Sequence, residues 1–245
     1  MGKNSLVMFH QGWTDIIMCI GLVYYNLEKY NEVVLLIRKD SEKLINFIFR
    51  NQKKLQILFL DKSFLDELNY RNNIVKYFKK EKFDINFYGP SLDKKTNFPN
   101  RQVAGKTMFY TPYNINGNVA IDNFIIHRDL ELENKKYIEL INKIGKKYNI
   151  IFKDHKRNLS IDESKIINKS LPLFNISNCS EICFDMIKIL EEAQEIHILS
   201  TFWSLIIYNL QKKNNLFSKK NIFFHNSSYN SNYLPLYENN DWVIF

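Results

Sequence analysis

The 245 residues are 45% hydrophobic and 24% charged, which excludes a disordered or collagen-like chain and fits a soluble globular protein with a sizeable core. The formal net charge is +8, an excess that predicts an anionic partner: nucleic acid, a membrane surface or a phosphorylated small molecule. Three cysteines (Cys19, Cys179, Cys183) form no even framework and no secretory leader pattern precedes them, so a reducing, cytoplasmic setting is expected.

Leu6–Phe9 reads as a short apolar strand, and His10 to Thr14 as a turn with Thr14 as N-cap of a helix from Asp15 to about Glu28. The apolar run Ile16 to Tyr25 is about half of the ~20 residues a membrane span needs, so it reads as a buried helix and no transmembrane segment is expected. Val33–Ile37 follows as a strand, Ser41–Arg50 as a helix and Leu55–Leu60 as a third strand. Phe64–Lys80 is predicted helical, Phe83–Tyr88 a fourth strand, and Gly89–Arg101 a loop rich in Pro, Asn and Lys. Met108–Val119 has no clean period, and the domain boundary is placed there, giving domains 1–117 and 118–245.

The second half repeats the alternation. Strands are predicted at Phe124–Ile126, Asn149–Phe152, Leu173–Asn175, Glu195–Leu199 and Asn221–His225, with helices at Glu131–Lys147, Ser180–Glu192 and Phe202–Lys212. The fold class is therefore α/β, with two Rossmann-like domains facing a cleft lined by the carboxyl ends of their strands. Seven Gly and five Pro argue against long flexible linkers.

Four segments fall at those strand ends. In His10-Gln11-Gly12-Trp13-Thr14-Asp15 the glycine lets a ligand approach and the helix N-terminus attracts anions, while Asp15 is equally what an ordinary capped helix shows. The turn lacks the three-glycine dinucleotide fingerprint and the Walker lysine. Arg128 has the geometry to clamp a phosphate bidentately or to pair with Asp129, Glu131 or Glu133. Lys153-Asp154-His155-Lys156-Arg157 concentrates charge after a strand. Ser200, Thr201 and Phe202 open an apolar helix whose hydroxyls and amides suit a phosphate, or cap the helix. His197 reads as a core histidine, and the Cys179/Cys183 pair as packing. No Asp-x-Asp, His-x-x-x-His or Glu-x-x-His occurs, so no dedicated metal site is expected.

The arrangement resembles the two-domain GT-B glycosyltransferases, particularly heptosyltransferase-like or fucosyltransferase-like members without a metal-binding Asp-x-Asp. Gly12-Trp13-Thr14-Asp15 resembles the Gly-x-x-Asp turn after the first strand of heptosyltransferase-type enzymes, whose Asp activates the acceptor. Arg128, Asp154 to Arg157 and Ile198-Leu199-Ser200-Thr201 resemble donor-side elements, with Leu199 standing where an acidic residue is often found. The Lys/Asn-rich style is similar to that of compact members from large DNA viruses or AT-rich bacteria. The resemblance implies metal-independent, inverting transfer of a sugar from a nucleoside-diphosphate-sugar to a hydroxyl acceptor on a glycan or glycoconjugate, with no cofactor. It implies Asp15, or else His10, as the base. It implies a substrate site of Gln11, Gly12, Trp13, Thr14, Arg128, Lys153, Asp154, Arg157, Ser200, Thr201 and Phe202, with Trp13, Tyr110 and Tyr113 available to stack on sugars.

Two other readings remain at this stage. One is a nucleic-acid-binding α/β protein, disfavoured because the positive charges are dispersed and matched locally by acids, as in Lys39-Asp40-Ser41-Glu42-Lys43. The other is a GT-B-like sugar-nucleotide binder without turnover.

Overall fold

The computed structural model describes residues 3–9, 12–60, 68–88, 109–154, 159–178, 182–225 and 241–245. The protein is α/β, its two main sheets wholly parallel, and it divides into two compact units, Met1–Ile126 and His127–Phe245.

In the first unit, β1 (Asn4–Phe9), β2 (Glu32–Arg38), β3 (Leu55–Leu60) and β4 (Phe83–Tyr88) lie in the order β3-β2-β1-β4. Parallel strands require crossovers, and these are α1 (Trp13–Lys29), α2 (Glu42–Phe49) and α3 (Leu68–Lys80). A sheet covered on both faces reads as near-continuous apolar strands, as in Val33–Ile37, where every residue is buried. Leu6, Met8, Val34 and Leu36 pack on one face with Phe78 of α3, and Ser5 of β1 turns to the other face and reaches Asn26 of α1.

The N-cap of α1 is Gly12, not Thr14: Asp15, at the third helical position, reaches back to the Gly12 N–H and fixes the helix start there. After residue 117 the chain stays with the first unit, so the division falls later than the expected boundary. A short helix α4 (Val119–Asp122) lies against α1 at Gly21, where a Cβ would stand 2.5 Å from the Val119 carbonyl oxygen. Tyr110 adds a hydroxyl bond of 2.7 Å to the Met18 carbonyl. The strand expected at Phe124–Ile126 does not form, as those residues have no ladder partner.

The second unit holds β5 (Asn149–Ile151), β8 (Leu173–Asn175), β9 (Glu195–Leu199), β10 (Asn221–His225) and β11 (Val243–Ile244) in the order β11-β10-β9-β5-β8. Counted within the unit, that order is 2-1-3-4-5. β6 (Lys153–Asp154) and β7 (Leu159–Ser160) make a separate antiparallel pair that the sequence did not reveal, as it did not reveal β11. The helices are α5 (Leu130–Ile144), α6 (Ile187–Glu192) and α7 (Phe202–Asn214). α5 stops short of the expected Lys147 because Gly145, at φ +89°, takes a backbone conformation that breaks the helix. Of the helix expected over Ser180–Glu192, residues 180 and 181 lie outside the described residues; from Ile182 on it is a 3-10 turn at Phe184–Met186 followed by α6, and Cys183 at φ +55° is not helical. Among the described residues no helix is long and apolar enough to cross a membrane.

Candidate functional site

In an open parallel sheet, ligands bind beyond the carboxyl ends of the strands, where the strand order reverses. That point lies between β1 and β4 in the first unit and between β5 and β9 in the second.

At the first, β1 leads to Gly12 at the start of α1. The Gly12 N–H donates to Asp15 Oδ2 at 3.1 Å, and Trp13, Thr14 and Asp15 are half-buried. The Asp15 carboxylate thus holds the helix start while remaining partly accessible. His10 and Gln11 lie outside the described residues. Tyr110 is fully buried with its hydroxyl bonded to the Met18 carbonyl, which takes it away from any sugar, and Tyr113 packs edge-on against Tyr88 at 4.9 Å. The same unit has an apolar cavity of about 580 Å³ between β2, β3 and α3, with Asn73 and Tyr77 as its polar lining. It lies on a sheet face and reaches Phe59 and Leu60 at the carboxyl end of β3.

At the second, β9 runs through Leu199 into Ser200 and Thr201, and α7 begins at Phe202. Thr201 is the N-cap in extended conformation. Its N–H donates to Ser204 Oγ at 3.2 Å, and Ser204 in turn donates to the Thr201 carbonyl at 2.7 Å. Its own hydroxyl makes no cap bond. Ser200 Oγ, Thr201 Oγ1 and the Trp203 indole nitrogen are all buried without a hydrogen-bond partner, three polar groups within four residues. Native interiors leave few such groups, and each calls for an explanation. Phe202 packs its ring on Trp203 at 5.1 Å.

The other donor-side residues are engaged elsewhere. The Arg128 guanidinium contacts both oxygens of Glu133 and both oxygens of Glu191, at 2.5–3.2 Å. Glu133 is fully buried, and the two carboxylates, Glu133 foremost, push the Arg128 pKa further up. Arg128 therefore neutralises a buried acid on α5 and has no fork left for a phosphate. Lys153 and Asp154 lie in β6 rather than in an open loop; the Lys153 ammonium pairs with Glu163, and its backbone is held by the Asn175 amide at 3.0 and 3.1 Å. Arg157 lies outside the described residues.

A buried chain of polar groups on β9 and β10 was not anticipated beyond the reading of His197 as a core histidine. Asp162 N–H donates to His225 Nδ1 at 3.2 Å, so the proton of a neutral His225 sits on Nε2, which faces His197 Nδ1 at 3.0 Å. The His197 proton is then on Nε2, 2.9 Å from Glu195 Oε2. Glu195 also accepts from the Ile167 and Asn168 amides at 3.2 and 2.8 Å. Both ends of the chain thus hold the segment 162–168 onto the sheet. Burial lowers the His197 pKa, against the pull of Glu195. Burial, with His197 adjacent, lowers that of His225 to about 4. The signal in the sequence was Glu195-Ile196-His197: two polar residues on one face of an apolar strand require a partner on the next.

Among the described residues no group of three His, Cys, Asp or Glu side chains is placed to hold a metal ion. No protein-family model, curated protein or solved structure matches the chain.

Arg128→Met leaves Glu133 buried and unpaired and is expected to destabilise the protein by about 3–5 kcal/mol in chemical denaturation. A variant as stable as the parent would show that the guanidinium is not structural.

The histidine pair has an acid signature. The unfolded chain protonates near pH 6.5, while the folded His225 resists protonation down to about pH 4. Between those values the unfolded state binds more protons, so stability is full above pH 6.5 and falls as the pH drops towards 4, by on the order of 3 kcal/mol. Melting temperatures measured across that range, with His225→Phe as the flattened control, check it.

Proposed function

We propose that the protein is a glycosyltransferase of the GT-B kind, moving a sugar from a nucleoside-diphosphate-sugar to a hydroxyl of a glycan or glycoconjugate. The observation that supports this best is the pair of buried, unpartnered hydroxyls of Ser200 and Thr201 at the first turn of the 13-residue α7, where the strand order reverses. Phosphate oxygens supply the acceptors those hydroxyls lack, and helix N-terminal amides favour the same group. The diphosphate is thereby assigned to Ser200, Thr201 and the start of α7 rather than to Arg128 and Lys153, whose charges are matched by carboxylates.

In this reading Asp15 takes the proton of the acceptor hydroxyl as that oxygen bonds to the anomeric carbon. The bond from that carbon to the diphosphate breaks, its electron pair leaves with the nucleoside diphosphate, and the configuration inverts. The helix amides and hydroxyls, not a metal ion, meet the charge that develops on the leaving group. One observation favours a second reading, a sugar-nucleotide binder without turnover: the Asp15 carboxylate already makes the bond of an ordinary helix cap.

A thermal-shift screen against nucleoside diphosphates and their sugars tests the site. One nucleotide family is expected to raise the melting temperature. Thr201→Val keeps the shape and removes an unsatisfied buried hydroxyl, so it is expected to stabilise the free protein by about 1 kcal/mol and to abolish the shift. An undiminished shift in the variant places the ligand elsewhere.

Asp15→Asn can still accept the Gly12 N–H but cannot take a proton. Transfer is expected to fall roughly 100- to 10,000-fold with the donor-induced shift retained. Undiminished transfer removes Asp15 as the base, and absence of transfer in the parent protein, with donor binding intact, selects the binder.

A further inference from the structure

Six of the sixteen basic residues of the second unit stand at the end of the sheet opposite the strand ends just described. Asn149 pairs with both Leu173 and Glu195, and Glu195 with Asn221, so β5, β8, β9 and β10 begin level with one another. Neighbouring strands lie about 4.8 Å apart, and the residues just before these four strands therefore form a row about 14 Å long. Lys146 and Lys147 precede β5, Lys169 precedes β8 and Lys219 precedes β10. Lys143 closes α5 and Lys212 lies in the last turn of α7, which bring their C-termini back to the same end. All six lysines are exposed. Lys220 is turned inward, donating to the Ala193 carbonyl at 3.0 Å, and is not counted.

The acids of this end do not balance them. Glu192 is exposed at the close of α6 and Asp241 is exposed just before β11, level with the start of β10; Glu191 is paired with Arg128, and Glu195 is buried and bonded to the Ile167 and Asn168 amides and to His197, which leaves, among the described residues, two exposed acids against six exposed lysines. The unit as a whole has 16 basic and 14 acidic residues, so the row is a concentration of charge and not a reflection of the total. Lysines in the last turn of a helix complement its dipole, which accounts for Lys143 and Lys212 alone. Lys146, Lys147, Lys169 and Lys219 stand outside any helix.

The side-chain chemistry selects the kind of polyanion. All six groups are ammonium point charges; the guanidinium fork that grips phosphates and base edges bidentately is missing from the row. Among the described residues, the exposed apolar side chain beside it is aliphatic and offers no ring on which a base could stack: Ile167, 71% exposed, two residues before Lys169. Leu173, 39% exposed, opens the adjacent edge strand. A row of lysines beside a protruding aliphatic side chain suits a surface that is anionic at its face and apolar just beneath it.

We propose that the amino edge of the second sheet, centred on Lys146, Lys147, Lys169 and Lys219, docks on an anionic lipid bilayer with Ile167 entering the headgroup boundary. This surface is independent of the glycosyltransferase reading and would remain if that reading failed.

Cosedimentation of the full chain with phosphatidylcholine vesicles, without and with about one-third phosphatidylserine, tests the proposal. Binding is expected with the anionic vesicles alone and is expected to weaken as salt rises. At about fivefold per lysine, Lys146→Glu/Lys147→Glu/Lys219→Glu weakens binding on the order of 100-fold, with the melting temperature unchanged because the side chains are exposed. Should that triple variant melt early, Lys146→Gln/Lys147→Gln provides a milder loss of the same charge. Ile167→Ser, which removes the apolar side chain without adding charge, is expected to weaken binding to vesicles but not to heparin. Absence of binding to anionic vesicles at low salt overturns the proposal, as does binding that ignores the lysine substitutions. Lysine-dependent binding of RNA or DNA without vesicle binding overturns it as well, and assigns the row to nucleic acid.

Discussion

Every strand pair in the two main sheets is parallel, and this one constraint sorts the chemistry of the molecule. Parallel pairing sends each connection back across the sheet, so within a unit all strand ends with their following helix N-termini share one edge, and all strand starts with their preceding helix C-termini share the other. In the second unit the aligned starts at Asn149, Leu173, Glu195 and Asn221 make the sorting strict. At the carboxyl edge the hydroxyls of Ser200 and Thr201 stand at the start of α7, and at the amino edge exposed lysines outnumber exposed acids. The two edges present opposite kinds of surface to solvent, one built for recognition at close range and the other for long-range attraction.

Covering a sheet on both faces has a cost, because any polar side chain within a strand must find partners among its neighbours. Both units meet it with a buried network. In the first, Ser5 donates to Asn26 at 3.2 Å, Asn26 donates to the Leu22 carbonyl and the Tyr88 hydroxyl, and Asn86 donates to Ser5 at 2.8 Å, tying α1 to β1 and β4. In the second, Glu195, His197 and His225 tie β9 and β10 to residues 162–168. These groups are satisfied at every junction, so they fix register and cover without asking for a ligand. Ser200 and Thr201 sit where such satisfaction stops. Buried polar atoms without a hydrogen bond occur singly elsewhere, at Tyr24, Arg38, Asn149 and Asp185, whereas Ser200, Thr201 and Trp203 bring three together at one strand end, and that clustering gives the two hydroxyls their weight.

Much of the framework was legible because local signals agreed with the tertiary structure. Leu55–Leu60, Phe83–Tyr88, Leu173–Asn175, Glu195–Leu199 and Asn221–His225 are strands at the limits their apolar runs predict. The failures have identifiable causes. Phe124–Ile126 has strand composition but, among the described residues, no strand to pair with, which no local pattern reveals. The packing of Val119–Asp122 on Gly21 moved the unit boundary through a contact across nearly one hundred residues. Arg128 reads as a phosphate clamp at the end of an expected strand, yet that strand is not there, and Glu191, sixty-three residues away, completes an ion cluster around it that a linear reading cannot contain. The cap formed by Asp15 was visible in its spacing from Gly12; which further role its carboxylate plays was not.

The net charge of +8 looks at first like a measure of affinity for a phosphorylated substrate, and the structure changes its meaning. Two of the cations that the sequence offered for a phosphate, Arg128 and Lys153, are bound to Glu133, Glu191 and Glu163 and contribute little field beyond their partners. A compact phosphate at the start of α7 depends instead on short-range donors, whose strength comes from burial and from the aligned dipoles of α7. The unmatched lysines stand at the other edge, in water, where each interaction is weak and screened beyond about 8–10 Å at physiological salt. Charges of that kind act in number, on a partner wide enough to meet the whole row at once, and a small ligand is too narrow to do so. The second unit contributes only 16 basic against 14 acidic residues to that excess, so the row matters by where its charges are placed and not as a share of the +8.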